Sequence, residues 1–442
     1  MPPIIKTLLF VLILCGVIPI GVLLARARSY WRDFFFFVMI FFTCYGYAVH
    51  IMPWPDYTGT SRGFALSMVD IAGWVLLFSL WPNSRGRFNW YPPGWSLYWL
   101  YVIFSAISIF NAQLVLPAGF EVWKMVKMYL IFVATYNYLD LKRNLWPLVN
   151  TFAVVTFFML LVGLYQKYFT SYYQIPSTMP HQNSLVMYAT MFGTVFLGTL
   201  LNERCSKFQY FVLLAAFGSA SLLILFALSR GGLICYIFGV ALTAGITLLF
   251  NGFTQQRVLV LGSLAILVAI PAIIYAPHLY NRFVNAPESS KLTRINLAKA
   301  AVRMANSNFF GIGLNNFSEK SSPRYDYNKE QNSTFFVAKE DQGAIVETTY
   351  LLVAAECGWG TLLILLWWLF YYFRVNFGNL LAYRRLPGFG MTAGLFGGLA
   401  ANYVQSALEW VLKQYNNYYQ LMIMFAVVAL MLTVRKVSRG CR

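Results

Sequence analysis

The stretch LFALSRGGLICYIFG, Leu225–Gly239, sets one arginine between two runs that each read as membrane helix. Ser229 precedes Arg230, Gly231 and Gly232 follow it, and no acidic residue lies nearby in sequence. An unpaired guanidinium in hydrocarbon costs on the order of several kcal/mol or more. The flanking runs settle the kind of fold, and the arginine raises the question of function.

Runs of this kind fill the chain. Of its 442 residues, 59% are hydrophobic, 18% aromatic and 11% charged, and the mean hydropathy is +0.60. A soluble fold of this length needs far more charge to cover its surface, so the composition reads as a polytopic membrane protein. Each span needs roughly 20 apolar residues. Thirteen candidates are centred near residues 15, 43, 72, 105, 130, 157, 193, 218, 241, 267, 358, 400 and 425. The expected fold is all-α, a polytopic membrane helix bundle of about 12–14 spans, with thirteen favoured. The first run, from Ile4 to Ala25, is too long for a signal-peptide core and reads as a retained helix.

The net charge of +18 comes from short basic clusters between the apolar runs. Arg26/Arg28/Arg32, Arg85/Arg87, Lys142/Arg143, Arg204/Lys207, Arg257, Arg374/Arg384/Arg385 and Arg435/Lys436/Arg439/Arg442 fall in every second connection. That alternation predicts that these connections face the cytoplasm, with the C-terminus inside and the N-terminus outside. No basic stripe with interleaved aromatics lies outside the apolar runs, which argues against nucleic acid as a partner. The six cysteines form no CxxC and there are three histidines, so no metal and no other cofactor is expected.

This orientation makes 277–343 the one large loop, facing outward, between a bundle of about ten spans over 1–276 and about three spans over 344–442. Arg230 then sits at the outer end of a span. No solenoid period or inverted half-repeat is evident.

Three stretches on the outward side carry candidate chemistry. At Arg230 the bland alternative is a loop arginine snorkelling to the interface. Against it, Gly231 and Gly232 let backbone N–H groups approach a ligand, and a guanidinium beside such amides grips phosphate with two parallel hydrogen bonds. The second stretch is KLTRINLAKAAVRMANSNFFGIGLNNF, 291–317. Helical periodicity runs from Leu292 to Ala305 and places Arg294 on the face of Ala298, Ala301 and Ala305, with Lys299 and Arg303 opposite. Such an arginine faces protein or a cavity, either as part of a structural ion pair or as a ligand-binding group. The third is AIVETTYLLVAAECGWGTLLILLWW, 344–368, with Glu347 at the outer end of a span. A carboxylate there serves as a base whose pKa partial burial raises, as a partner to an arginine, or as a helix-start acid. Glu356, on another face, has a packing or pairing role.

Together, SRGGL (229–233), the R…FFGIGLNNF block (294–317) and VETTYLLVAAECGWG (346–360) resemble the O-antigen ligase and polymerase superfamily of bacterial inner-membrane glycosyltransferases, over roughly residues 180–370. PHQNSLVMYATMFG, 180–193, resembles the entry to an earlier span in many members. The resemblance implies a GT-C-like bundle with a large helical periplasmic loop. It also implies an undecaprenyl-pyrophosphate-linked oligosaccharide as donor, a glycan acceptor, and no metal. It maps the two family arginines onto Arg230 and Arg294, both on the donor pyrophosphate. Ligases of the superfamily carry histidine in a His-Asn-x-Tyr-Leu stretch where this chain has Glu-Thr-Thr-Tyr-Leu. A tryptophan often found after the second arginine is replaced by Leu297. Glutamate replaces histidine as a base but not as a cationic partner to phosphate, which moves the reading from ligase toward polymerase.

The expected reaction is attack of an acceptor sugar hydroxyl on the donor's anomeric carbon, with loss of the lipid pyrophosphate. Charge grows on that leaving group, so prepositioned arginines act most strongly in the transition state. The expected catalytic set is Glu347, Arg230 and Arg294. Ser229, Gly231, Gly232, Tyr350, His181, Asn183 and Arg303 are expected around the substrate, with His181 as the alternative base. Loop aromatics such as Phe309, Phe310, Phe335 and Phe336 are candidates for stacking on sugar. Membrane lipids and a chain-length regulator are the further expected partners. The competing reading is a lipid-linked-oligosaccharide flippase, whose functional charges should gather at mid-membrane. Asp70, Lys124 and Lys127 are the candidates for that role, and in sequence they do not form such a set.

Overall fold

The computed structural model describes residues 3–81, 88–170, 172–284, 288–329 and 344–440. The first half contains α1 (Pro3–Leu12), α2 (Ile18–Ala27), α3 (Ser29–Phe41), α4 (Met68–Leu80), α5 (Trp95–Ile107), α6 (Val115–Lys142), α7 (Trp146–Phe169) and α8 (Gln182–Asn202). The second contains α9 (Lys207–Ala227), α10 (Arg230–Asn251), α11 (Gln255–Val284), α12 (Glu288–Ser307), α13 (Thr349–Ala382), α14 (Phe389–Leu408) and α15 (Tyr415–Gly440). Among the described residues, seven helices are long and apolar enough to cross a membrane, and three shorter apolar helices accompany them. The chain is a membrane helix bundle.

α8 runs through the middle, and every residue of its apolar stretch is buried. Small residues allow this. Gly198 meets Gly390 and Gly394 of α14 backbone to backbone, where any side chain would collide. Close approach through glycine is how helices associate when lipid removes the hydrophobic drive between them. α1 and α2 join through a π-helical turn at Ile13–Val17, just before Pro19, whose missing N–H breaks the α-helical ladder.

The span expected around residue 43 is displaced and shortened. α3 ends at Phe41, and the chain then forms the antiparallel hairpin of β1 (Ala48–Ile51) and β2 (Phe64–Ser67), with Ala48 opposite Ser67 and Ile51 opposite Phe64. Gly46, Pro53 and Pro55 punctuate an aromatic, β-branched stretch that favours strand over helix. The all-α expectation therefore holds apart from this one hairpin among the described residues. α3, α4 and α5 have 13 residues each, shorter than the spans expected of them.

Residues of the basic clusters gather at one end of the bundle. There Lys142 of α6 pairs with Asp33 of α3 at 2.7 Å, Arg26 donates to the Phe78 carbonyl, and Arg257 and Arg384 donate to carbonyls closing α8 and α10. The opposite end carries the α9–α10 turn, α12, and the α14–α15 connection.

The segment after α12 folds onto the bundle at a break in α13. Gly358, at φ 85° and ψ 164°, interrupts that helix and frees the Ala355 and Glu356 carbonyls. They accept the N–H groups of Ile312 and Gly313, at 3.0 and 2.9 Å. Asn315 bridges to the Ser61 and Pro117 carbonyls, and Asn316 makes paired bonds with Leu114. The GIGLNN motif is thus a clasp between α13, α6 and the hairpin loop. α11 continues through residue 277, so helix extends into the start of the expected loop.

Candidate functional site

The α9–α10 turn is built by residues on both sides of Arg230. Leu228, at φ 50°, takes the left-handed conformation that ends α9. Ser229 caps α10, its Oγ accepting the Gly232 N–H at 3.3 Å. Gln174 donates to the Ala227 and Leu228 carbonyls and fixes the turn from outside. Gly232 lies outside the cavity lining: its amide serves the cap, and a side chain there would strike Val186 of α8. Gly231 and the Arg230 side chain face an open cavity. No described hydrogen bond or ion pair involves Arg230.

That cavity, about 830 Å³, brings together Arg230, Arg294, Glu347, His181, Asn183, Ser229 and Gly231. Residues spread over more than a third of the chain meet there because α8 and α10 begin at the cavity, α12 brings Arg294 to it, and α14 ends at it. Two helices, α8 and α10, thus begin at it, and the positive ends of their dipoles favour an anion.

Two charged residues at the cavity went unpredicted, Arg62 and Glu409. Arg62 lies in the hairpin loop that the expected span near residue 43 obscured. Glu409 had a weaker signal: it is an acid among apolar residues in SALEWVL, four residues before Lys413.

Arg294 stands between two carboxylates. It forms a close ion pair with Glu347 and lies 3.4 Å from Glu409. Side-chain exposure falls from 44% at Arg294 to 35% at Glu347 and 10% at Glu409, so Glu409 is the deepest of the three. Burial raises the pKa of Glu347, against the pull of Arg294. For Glu409, burial and then the Glu347 charge push it up to about 7, opposed by Arg294 and by the Asn183 amide. His181 caps α8, its Nδ1 accepting the Asn183 N–H at 3.2 Å. Burial and the Arg294 charge lower its pKa. An imidazole that is neutral and uses its free lone pair as a cap is poorly placed to be a base.

Tyr350 and Arg303 lie outside the cavity lining. Tyr350, in the first turn of α13, turns inward and donates to the Tyr403 carbonyl of α14 at 2.8 Å. Arg303 is two and a half turns along α12 from Arg294 and half-buried. Phe309 is exposed away from the cavity lining, and Phe335 and Phe336 lie outside the described residues.

Lys124 and Lys127 lie one turn apart on α6, and the fold brings Asp70 of α4 to them, so these residues do form a set. Lys127 bonds Asp70 at 2.6 Å, and Asp70 also accepts from Tyr419 at 2.7 Å. Lys124 bonds Glu121 at 2.6 Å, and Lys413 reaches Glu121 at 3.6 Å and Glu356 at 2.9 Å. The Tyr415 ring lies between the two α6 lysines, 5.2 and 5.1 Å from their ammonium groups. Tertiary folding assembles this set from α4, α6, α13 and the α14–α15 connection. Among the described residues no group of three or more His, Cys, Asp or Glu side chains is gathered to hold a metal. No protein-family model and no curated protein matches the chain.

Proposed function

We propose that the protein is a glycosyltransferase of the O-antigen polymerase type. Its donor is a glycan on undecaprenyl pyrophosphate, and its product is a longer cell-surface polysaccharide such as O-antigen, capsule or exopolysaccharide. The observation that carries the reading is the cavity lined by both Arg294 and Arg230, whose side chain has no partner among the described residues, with α8 and α10 beginning at it. Cations and oriented amides around an open space suit a pyrophosphate, and they act most where leaving-group charge develops. The resemblance of the SRGGL, GIGLNN and VETTYL stretches to the ligase and polymerase superfamily supports the same conclusion.

In this reading the chain makes thirteen passes in the bacterial inner membrane, with the basic end in the cytoplasm and the cavity in the periplasm under the 277–343 segment. The acceptor hydroxyl loses its proton to a carboxylate as its oxygen bonds to the anomeric carbon. The bond from that carbon to the pyrophosphate breaks, and the arginines hold the departing charge. Transfer to lipid A-core, the ligase activity, uses the same chemistry with a different acceptor. Glutamate at 347 in place of the ligases' histidine favours the polymerase.

A lipid-linked-oligosaccharide flippase is the second reading, and the buried Asp70–Lys127 and Glu121–Lys124–Lys413–Glu356 pairs are the observation in its favour. Those pairs sit in the first turns of α4 and in the first half of α6, toward the cavity end, and each charge already has a partner. Purified protein given undecaprenyl-pyrophosphate glycan and acceptor, with chelator and without nucleotide sugar, separates the two. Release of undecaprenyl pyrophosphate with glycan extension supports the transferase; translocation of intact donor supports the flippase. In cells, loss of the gene leaves single repeat units on lipid A-core if the protein is a polymerase. Long chains stranded on undecaprenyl lipid indicate the ligase.

A further inference from the structure

We infer that Glu409, not Glu347, is the general base that takes the acceptor proton, and that Glu347 is the positioning carboxylate of Arg294. The inference rests on the transferase reading and assigns roles within its site. Glu347 is in close contact with the Arg294 guanidinium and is the more exposed of the two acids, at 35% against 10%. The Arg294 charge opposes the burial that raises the Glu347 pKa, and its close contact occupies the side of the carboxylate that an acceptor hydroxyl would need. Glu409 is 3.4 Å from the same guanidinium, at the margin of a hydrogen bond, and opens onto the same cavity.

Its backbone is held on both sides of the site. The Glu409 N–H donates to the Gln405 carbonyl at 2.9 Å, and its own carbonyl accepts from the Thr349 N–H and hydroxyl at 3.3 and 3.0 Å. The residue therefore joins the end of α14 to the start of α13. The C-terminal end of α14 disfavours a negative charge there, as the neighbouring Glu347 carboxylate does. A base needs that setting: a carboxylate raised toward the working pH yet not neutralised by its neighbours.

The groups facing Glu409 come from several elements. They are Arg294 on α12, Glu347 before α13, Asn183 and His181 at the start of α8, Arg230 and Cys235 on α10, and Arg62 in the hairpin loop. When acceptor binds, its hydroxyl proton passes to a Glu409 carboxylate oxygen while its oxygen bonds to the anomeric carbon. The electron pair of the broken glycosidic bond leaves on the lipid pyrophosphate. With a pyrophosphate on Arg230 and Arg294, Glu347 keeps Arg294 aimed. The proton on Glu409 is released to water afterwards.

A base works deprotonated, so the rate of the free enzyme should rise with pH through about 7, the value to which burial and Glu347 push Glu409. The test is the pH–rate profile of the full-length protein in nanodiscs, with undecaprenyl-pyrophosphate glycan and acceptor, for wild type, Glu409→Gln and Glu347→Gln. Donor binding is measured in parallel. Glu409→Gln is expected to lower kcat by at least about a hundredfold, to flatten the acid limb and to leave donor Kd unchanged. Glu347→Gln is expected to raise donor KM while keeping the acid limb, and Glu347→Asp to recover much of the affinity. An active wild type whose acid limb survives Glu409→Gln, or disappears with Glu347→Gln alone, overturns the assignment. A wild type that binds no such donor and transfers nothing overturns the transferase reading as well.

Discussion

Lys413 and Arg294 are each a cation between two carboxylates, and the bundle treats the two arrangements differently. Lys413 is about 7% exposed, with Glu356 at 2.9 Å and Glu121 at 3.6 Å. Burial works against its charge, but the two carboxylates outweigh burial and hold its pKa above the ordinary lysine value. Around it the set is closed: Lys124, Lys127 and Lys413 face Asp70, Glu121 and Glu356, three of each sign. Ser61 and Thr60 supply further hydrogen bonds to Glu121. Arg294 is about 44% exposed, and its cavity holds three arginines against two acids, one of which has its pKa near 7. The comparison separates charges that hold the bundle together from charges left available to a ligand. Ion pairing alone does not mark function. An open space with a cation to spare does.

The contrast is broken most severely at Lys413. Lys413→Met leaves Glu121 and Glu356 buried without their shared cation, a loss of about 3–5 kcal/mol. A large fall in the melting temperature of the detergent-purified protein is expected, and a melting temperature equal to wild type would remove the network's structural role. Arg230→Ala should act in the opposite way. Transfer falls by at least about a hundredfold, since one transition-state contact of this kind is lost, while the melting temperature stays at the wild-type value. Near-normal glycan product from this variant would show that Arg230 is not a pyrophosphate contact. Arg294→Ala is expected to abolish transfer too, with membrane insertion intact.

Smaller effects sharpen the boundary between scaffold and site. Gly358→Ala forces a side chain into a left-handed position pressed against the Phe309 carbonyl, at a cost of about 1–3 kcal/mol. Proteolysis of the 308–329 segment should then become faster, because that segment is clasped to the break. Tyr350→Phe deletes one buried hydrogen bond to Tyr403 and is worth about 1 kcal/mol of stability, with donor and acceptor KM unchanged. A raised acceptor KM would return Tyr350 to the substrate site.

The membrane bundle was legible because lipid-facing helices leave long apolar runs and basic clusters mark alternate connections. Arg230 stood out because it interrupts two apolar runs, Arg294 because it shares the small-residue face of a periodic helix, and Glu347 because it stands at the outer end of a span. The hairpin was hidden by apolar residues that suit strand and helix equally, and with it Arg62. The closed ion network was invisible for a different reason: Asp70, Lys127 and Lys413 are brought together by tertiary folding, and no local spacing records that. Gly232 reads in sequence as a ligand-binding glycine and serves a helix cap with close packing, while the GIGLNN block, which carried the resemblance, forms a backbone clasp. Glycine and asparagine meet both needs with the same chemistry.

The cavity lined by Arg230 and Arg294 is proposed to receive a lipid pyrophosphate. A cryo-electron-microscopy structure in nanodiscs with undecaprenyl pyrophosphate tests it directly. The account predicts the diphosphate within about 3 Å of both guanidinium groups and near the α10 N-terminus, with the prenyl chain leaving sideways between helices. A diphosphate bound at the basic end, or at the Lys413 network with the arginine cavity empty, would contradict it.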